Sequence, residues 1–131
     1  METVRPLAAV VDDDESVRRS TRRLLRSMGI EAQSFASGDE FLRVFLAVPS
    51  FQPACVILDV QMPGISGLQA QSRLKASGLP VIFMTAHNDI GVRKQAMAGG
   101  AIAFLCKPFG HELFVKAVSA ALQSGSYRKT Q

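Results

Sequence analysis

Three consecutive carboxylates, Asp12, Asp13 and Asp14, follow the apolar run Leu7–Val11, and a fourth, Asp59, follows Cys55–Leu58. Thr85 follows Val81–Met84, and Lys107 follows Ile102–Cys106. Short apolar runs bounded by turn signals mark buried parallel strands. In an open parallel α/β sheet, ligands bind beyond the carboxyl ends of the strands, where the strand order reverses. Carboxylates, a hydroxyl and an ammonium would then meet at one edge. A lone aspartate there is explained as a cap for the following helix, and Asp14 fits that role. Asp12, Asp13 and Asp59 together do not, because three carboxylates crowding one low-dielectric edge repel each other. A hard dication relieves that repulsion, and Mg²⁺ suits a few carboxylates completed by waters and phosphate oxygens. Asp59 alone is a feeble nucleophile; beside a metal it can attack an electrophilic phosphorus in line and form an aspartyl phosphate. Such a transfer rests on positioning and on neutralising the transferred oxygens. Lys107 offers a point charge for one oxygen and Thr85 a hydroxyl for another.

The elements that must position these residues alternate strand and helix from end to end, which predicts an α/β fold with a parallel sheet. The first strand, near Leu7–Val11, feeds a helix from about Glu15 to Met28, stopped by Gly29 where a left-handed residue is usually needed. A short strand near Glu31–Phe35 follows. Ser37 to Glu40 reads as a capping box opening a helix to about Leu46. Cys55–Leu58 is the third strand, and the loop after Asp59 carries Pro63, Gly64 and Gly67. Ser66 and Gln69 form a second capping-box pattern, for a helix ending at Gly78. Val81–Met84 is the fourth strand, and Asn88 or Asp89 caps a helix to about Ala98. The fifth strand lies near Ile102–Leu105. The last helix, about His111–Gln123, carries Leu113, Phe114, Ala117, Val118, Ala121 and Leu122 on one face.

With 131 residues, 47% hydrophobic and 20% charged, the chain fits one domain with a single core. No apolar stretch approaches the roughly 20 residues of a membrane helix. The N-terminus lacks a signal-peptide pattern, so a cytoplasmic location with no membrane partner is expected. Cys55 and Cys106 both sit in apolar runs and read as small buried hydrophobes, with neither disulfide nor metal spacing. The formal net charge is +4. Much of the excess lies in Arg18, Arg19, Arg22, Arg23 and Arg26 on the first helix, opposite a stripe of Val17, Thr21, Leu24 and Met28. No aromatic residue interleaves with these arginines, so a nucleic-acid surface is the weaker reading. They form either a solvated helix face or a docking surface for an acidic or helical partner.

The segments VVDDDES, LDVQMPGISG, PVIFMTAHND and FLCKPF, in that order, resemble the signature segments of the receiver domain of two-component response regulators. The similarity runs from about Leu7 to Gln123, and MPGISG and TAHND are most similar to receivers of the nitrogen-fixation-regulator (FixJ-like) type. The resemblance implies a flavodoxin-like (βα)5 fold, a doubly wound parallel sheet with strand order 2-1-3-4-5. Residues 1–124 would form the receiver, and 125–131 a polar tail or the start of a linker. Asp59 would be the phosphoacceptor. Asp13 and Asp59 would bind Mg²⁺, or Mn²⁺ in its place, directly and with the backbone carbonyl of Gln61, while Asp12 acts through metal-bound water. Thr85 would be the switch hydroxyl, and Lys107 the partner of the phosphoryl group. Phe104 holds the family's aromatic switch position, though an ordinary core role accounts for it equally well. Gln61 and His87 border the phosphoryl group in the family and tune its hydrolysis; His87 also reads as a loop or cap residue. The family's Lys-Pro bond is typically cis, so Lys107–Pro108 is expected to be cis.

The implied activity is that of a phosphoacceptor signalling module rather than an enzyme. It would take its phosphoryl group from a histidine kinase or a small phosphodonor and lose it by autodephosphorylation. The readout would be a population shift, with homodimerisation or partner binding through the fourth helix, fifth strand and fifth helix. The first helix lies where family members dock their kinase. DNA would be reached only through an output domain absent from this chain, making it a stand-alone receiver or the excised receiver of a longer transcription factor. Two other readings compete. In a haloacid-dehalogenase-like phosphatase, Asp12 would be the nucleophile, with Asp14, Ser16, Thr85 and Lys107 completing the motifs. That leaves Asp59 without a role, and after Asp89 the only acid is Glu112. A receiver that binds partners without phosphorylation would have no need of the intact acid set.

Overall fold

The computed structural model describes the backbone of residues 5–129 and the side chains of residues 5–124. Strands β1 (Leu7–Val11), β2 (Glu31–Phe35), β3 (Cys55–Asp59), β4 (Val81–Thr85) and β5 (Ala103–Cys106) form one parallel sheet in the order β2-β1-β3-β4-β5. Helices α1 (Glu15–Ser27), α2 (Gly38–Ala47), α3 (Gly67–Leu74), α4 (Ile90–Ala98) and α5 (His111–Lys129) connect and follow them, with a 3₁₀ turn, Lys75–Ser77, after α3. The parallel α/β sheet is the one the alternation predicted, and its doubly wound, flavodoxin-like order is the one the family resemblance implied. The chain switches direction between β1 and β3, and the acidic loops lie at that point.

The strand period of two sorts the core into two layers. Ala9, Val11, Val56, Leu58 and Phe83 pack with Phe41 and Leu42 of α2, Ala70 and Leu74 of α3 and Ala96 of α4. Ala8, Val10, Ile57, Ile82 and Met84 pack with Leu25 of α1 and with Phe114, Ala117, Val118 and Ala121 of α5. Each fully buried Phe, Leu or Ile contributes about 1.5–3 kcal/mol relative to an exposed one. Beneath α2, Phe35, Phe41, Phe45 and Phe51 form a ring cluster, edge-on or stacked, with centroids 5.4–6.5 Å apart.

The helix starts follow the capping chemistry. Asp14 caps α1 through Ser16 N and Val17 N, and Ser66 with Gln69 makes a complete capping box on α3. Asp89, rather than Asn88, caps α4. On α2 the box is displaced: Ser37 accepts from Glu40 N, but the Glu40 carboxylate accepts from Ala36 N, one residue before the cap. Gly29, at φ +80°, takes the left-handed step that ends α1, and the Lys107–Pro108 bond is cis.

Several expectations need correction. In α1, Leu25 is fully buried and Leu24 only partly so. The apolar stripe therefore turns further round the helix than the sequence spacing suggested. On α5, Leu113 is 54% exposed, because the helix presents Phe114, Ala117, Val118 and Ala121 to the sheet. Strand β5 begins at Ala103 and runs through Cys106, which is only partly buried. Helix α5 does not stop at Gln123 but continues to Lys129. That extension has no proline, and Gly125 costs only about 1 kcal/mol relative to Ala, too little to stop an established helix.

Candidate functional site

Backbone register brings the sequence-predicted residues to one sheet edge. Val11 pairs with Leu58, so Asp12 leaves β1 at the level where Asp59 ends β3. Asp12 is held there by two backbone contacts: its N–H donates to Phe35 O (3.2 Å), and its carbonyl accepts from Arg18 Nη1 (2.8 Å). Its side chain is buried, with Oδ1 accepting from Asp14 N (2.9 Å) and Oδ2 facing Lys107 Nζ at 3.3 Å. Lys107 is fixed in turn by its backbone N–H, which donates to Thr85 O at 2.7 Å. The buried Thr85 Oγ1 accepts from His87 N (3.2 Å), which leaves the hydroxyl proton free to point elsewhere.

Asp12, Asp13 and Asp59 each place a carboxylate oxygen within 4.8 Å of the others. Asp59 is 8% exposed, whereas Asp13 lies at the surface. Burial pushes the Asp59 carboxyl up to about 6, and the neighbouring Asp12 charge, with a smaller effect from Asp13, adds to the rise. Lys107 and the Gln61 backbone N–H pull it back. Asp14 moves the other way: hydrogen bonds from the Ser16 side chain and backbone lower its carboxyl below the ordinary value, as suits a cap. Three hard oxygen donors, one with its carboxyl raised by burial and by a neighbouring carboxylate, fit a divalent cation with open positions for water or a phosphate oxygen.

The turn after β3 is built around Gly67. Its N–H donates to Val60 O at 2.8 Å, and a Cβ there would overlap the Asp59 carbonyl oxygen and come within 2.9 Å of Val60 Cα. Only glycine lets α3 begin this close to the end of β3. On the far side, Gly64 (φ +83°) lies against the Asp39 carboxylate, which also accepts from Ile65 N (3.4 Å).

The structure does not gather every predicted residue into the carboxylate cluster. Gln61 and His87 are exposed, and their contacts to Asp59 and Thr85 are made by backbone amides rather than side chains. Phe104 is buried in the apolar layer against Phe83, with ring centroids 6.1 Å apart. The sequence reading missed Arg18, which it grouped with the solvated arginines; it turns back onto the Asp12 carbonyl instead. Its place one turn into α1, behind the acids, was the available signal. Arg19, Arg22, Arg23 and Arg26 do lie together, lining a cavity of about 240 Å³ between α1 and β2 with Ile30, Glu31 and Ala32.

Comparison with known proteins gives the class of this doubly wound sheet with an acid triad, a hydroxyl and a lysine at its switch point. The family model of the response regulator receiver domain matches residues 8–119, and the chain belongs to that family. Nodulation protein W of Bradyrhizobium diazoefficiens is 40% identical over 129 residues, covering 97% of this chain and 56% of the relative. Transcriptional regulatory protein FixJ of Azorhizobium caulinodans is 42% identical over 115 residues, 86% of this chain and 53% of that protein. A solved response regulator receiver protein from Burkholderia phymatum is 57% identical with a TM-score of 0.82, covering 91% of this chain and 96% of that one. The chain spans about half the length of the curated relatives it matches. This is a receiver domain of two-component systems, a signalling module rather than a classical enzyme, and the haloacid-dehalogenase-like reading is set aside. Among the described residues, no helix is long and apolar enough to cross a membrane.

Proposed function

We propose that this receiver accepts a phosphoryl group on Asp59 from the phosphohistidine of a sensor kinase. The observation that carries the reading is the convergence of the Asp12, Asp13 and Asp59 carboxylates within 4.8 Å, with Lys107 beside them. Asp59 Oδ attacks phosphorus, the phosphorus–nitrogen bond to the donor histidine breaks, and the neutral imidazole departs after taking up a proton. Asp12, Asp13, Asp59 and the Gln61 backbone carbonyl would hold Mg²⁺ or Mn²⁺, which supplies positive charge to the transferred oxygens when bound. Lys107 exchanges its contact with Asp12 for one phosphoryl oxygen. The Thr85 hydroxyl donates to another, drawing the end of β4 inward. Gln61 and His87, exposed at the mouth, govern the approach of the water that later hydrolyses the acyl phosphate.

The arginine-lined face of α1 serves as the kinase-docking surface, with the cation-rich cavity accepting acidic side chains. Phosphorylation favours pairing of two copies through α4, β5 and α5. Any DNA contact would belong to an output domain rather than to this receiver. Intact-protein mass spectrometry after incubation with acetyl phosphate and Mg²⁺ tests the core of this reading. One phosphoryl mass should appear, depend on Mg²⁺ and be absent in Asp59→Asn. No adduct on the wild type, under conditions that trap short-lived acyl phosphates, points instead to a phosphorylation-independent module; an adduct persisting in D59N overturns the choice of acceptor.

A further inference from the structure

A line of packed groups leads from the phosphoacceptor to an exposed cation on α4. The Asp59 carbonyl oxygen abuts the Cα of Gly67, so closely that a Cβ there would overlap it. The same Cβ would meet the edge of Phe83, at 3.0 Å from Cε1, so the Phe83 ring forms the wall on which the β3–α3 turn closes. Phe83, fully buried, rests on Phe104, with centroids 6.1 Å apart and planes inclined at 47°. Phe104 is covered from outside by the guanidinium of Arg93, whose Cζ stands 5.8 Å from the ring centroid. Guanidinium groups within about 6 Å of a ring face are attracted by its quadrupole.

Arg93 stands exposed on α4. It is the fourth residue of α4, near the helix N-terminus, where a positive charge opposes the helix dipole. It makes no ion pair among the described residues. Helix α4 itself is thinly anchored: Ala96 is its one buried residue, Val92 packs partly against the core, and Gln71 Nε2 donates to the Ala96 carbonyl at 2.9 Å. The N-terminal half of α4 is therefore tied to the sheet largely through Val92 and the Arg93–Phe104 contact.

From this arrangement we infer that Arg93 is a positioning residue for phosphoryl transfer: by clamping Phe104 onto Phe83 it holds the β3–α3 turn, and so Asp59, in the attacking geometry. The inference rests on Asp59 being the acceptor. Small displacements of a nucleophile are costly to a reaction that depends on alignment, and a loosened ring layer beneath Gly67 displaces the backbone on which Asp59 is carried.

The test is a double-mutant cycle on the rate of adduct formation from acetyl phosphate and Mg²⁺, read by intact mass. Arg93→Ala should slow uptake about three- to tenfold, within the span over which residues in a coupled packing network act. Arg93→Lys, which keeps the cation, should recover part of the rate, and Arg93→Gln, which keeps length but not charge, should not. Phe104→Leu should slow uptake too, and adding Arg93→Ala to it should cost nothing more, because the ring on which Arg93 acts is gone. Thermal unfolding of each variant accompanies the rates, since a merely structural role would move stability without this pattern. Equal rates in wild type and R93A, or additive effects in the double variant, overturn the positioning role and leave the acceptor assignment standing. No adduct on the wild type overturns both.

Discussion

Asp59 carries an electrostatic burden that can be read by titration. Its carboxyl rises in the folded protein from 3.8 to about 6, through burial first and the Asp12 charge second. The fold thus favours the protonated acid. That contribution to stability is complete below the unfolded value of 3.8 and is lost as the pH climbs through about 6. At neutral pH without divalent cations, Asp59→Asn should be more stable than wild type by about 1–3 kcal/mol, an advantage that should shrink toward about pH 4. Mg²⁺ should shrink it at neutral pH as well, because a cation replaces the missing proton. Denaturant unfolding of the two proteins, with and without Mg²⁺ at both pH values, measures this directly. Equal stability at neutral pH would mean that the carboxylates do not strain the apo protein, and no response to Mg²⁺ would argue against the cation site. The acids themselves were legible in the sequence because each ends an apolar run; the shift was not, because it depends on how closely β1 and β3 bring their ends together.

At the level of elements, the β3–α3 turn is the narrowest joint in the domain. Gly67→Ala would force its methyl into the Asp59 carbonyl oxygen and to 2.9 Å from Val60 Cα, where nothing flexible can give way. The expected cost is about 2–4 kcal/mol, measurable as a drop in urea midpoint at unchanged slope. A loss of well under 1 kcal/mol would show that α3 can back away from β3 and that the turn is not tight. The strand and helix order, the caps Asp14, Ser66 and Asp89, and the stop at Gly29 could be read from local chemistry. Tertiary contacts could not. Leu113 fits an apolar stripe by spacing yet faces outward, because the sheet takes Phe114 instead. Gln71 of α3 is buried with its amide on the α4 backbone, and a Cβ at Gly99 would crowd that amide. Arg18 shared its helix with the exposed arginines and was separable from them only by the depth of the Asp12 carbonyl behind it.

For the whole molecule, the outward apolar residues divide between two places: Leu46 and Val48 at the end of α2, and three more on the proposed pairing helices. Ile90 (67% exposed) and Met97 (43%) lie on α4, and Leu113 (54%) on α5. Phosphorylated wild type should sediment as a dimer. Ile90→Glu combined with Leu113→Glu should remain monomeric while taking up the phosphoryl group normally. A phosphorylated monomer in the wild type, or a dimer unaffected by both substitutions, would move the interface elsewhere. The sheet also sorts its two thiols by depth. Cys55 is fully buried on central β3, and burial pushes its thiol up to about 12, so it is shielded from reagents and held protonated. Cys106 is partly exposed at the end of edge strand β5, opposite Thr85 and next to Lys107. Of the two thiols in this domain, Cys106 is thus the more accessible attachment point for a fluorophore or spin label, already seated beside the residues expected to move.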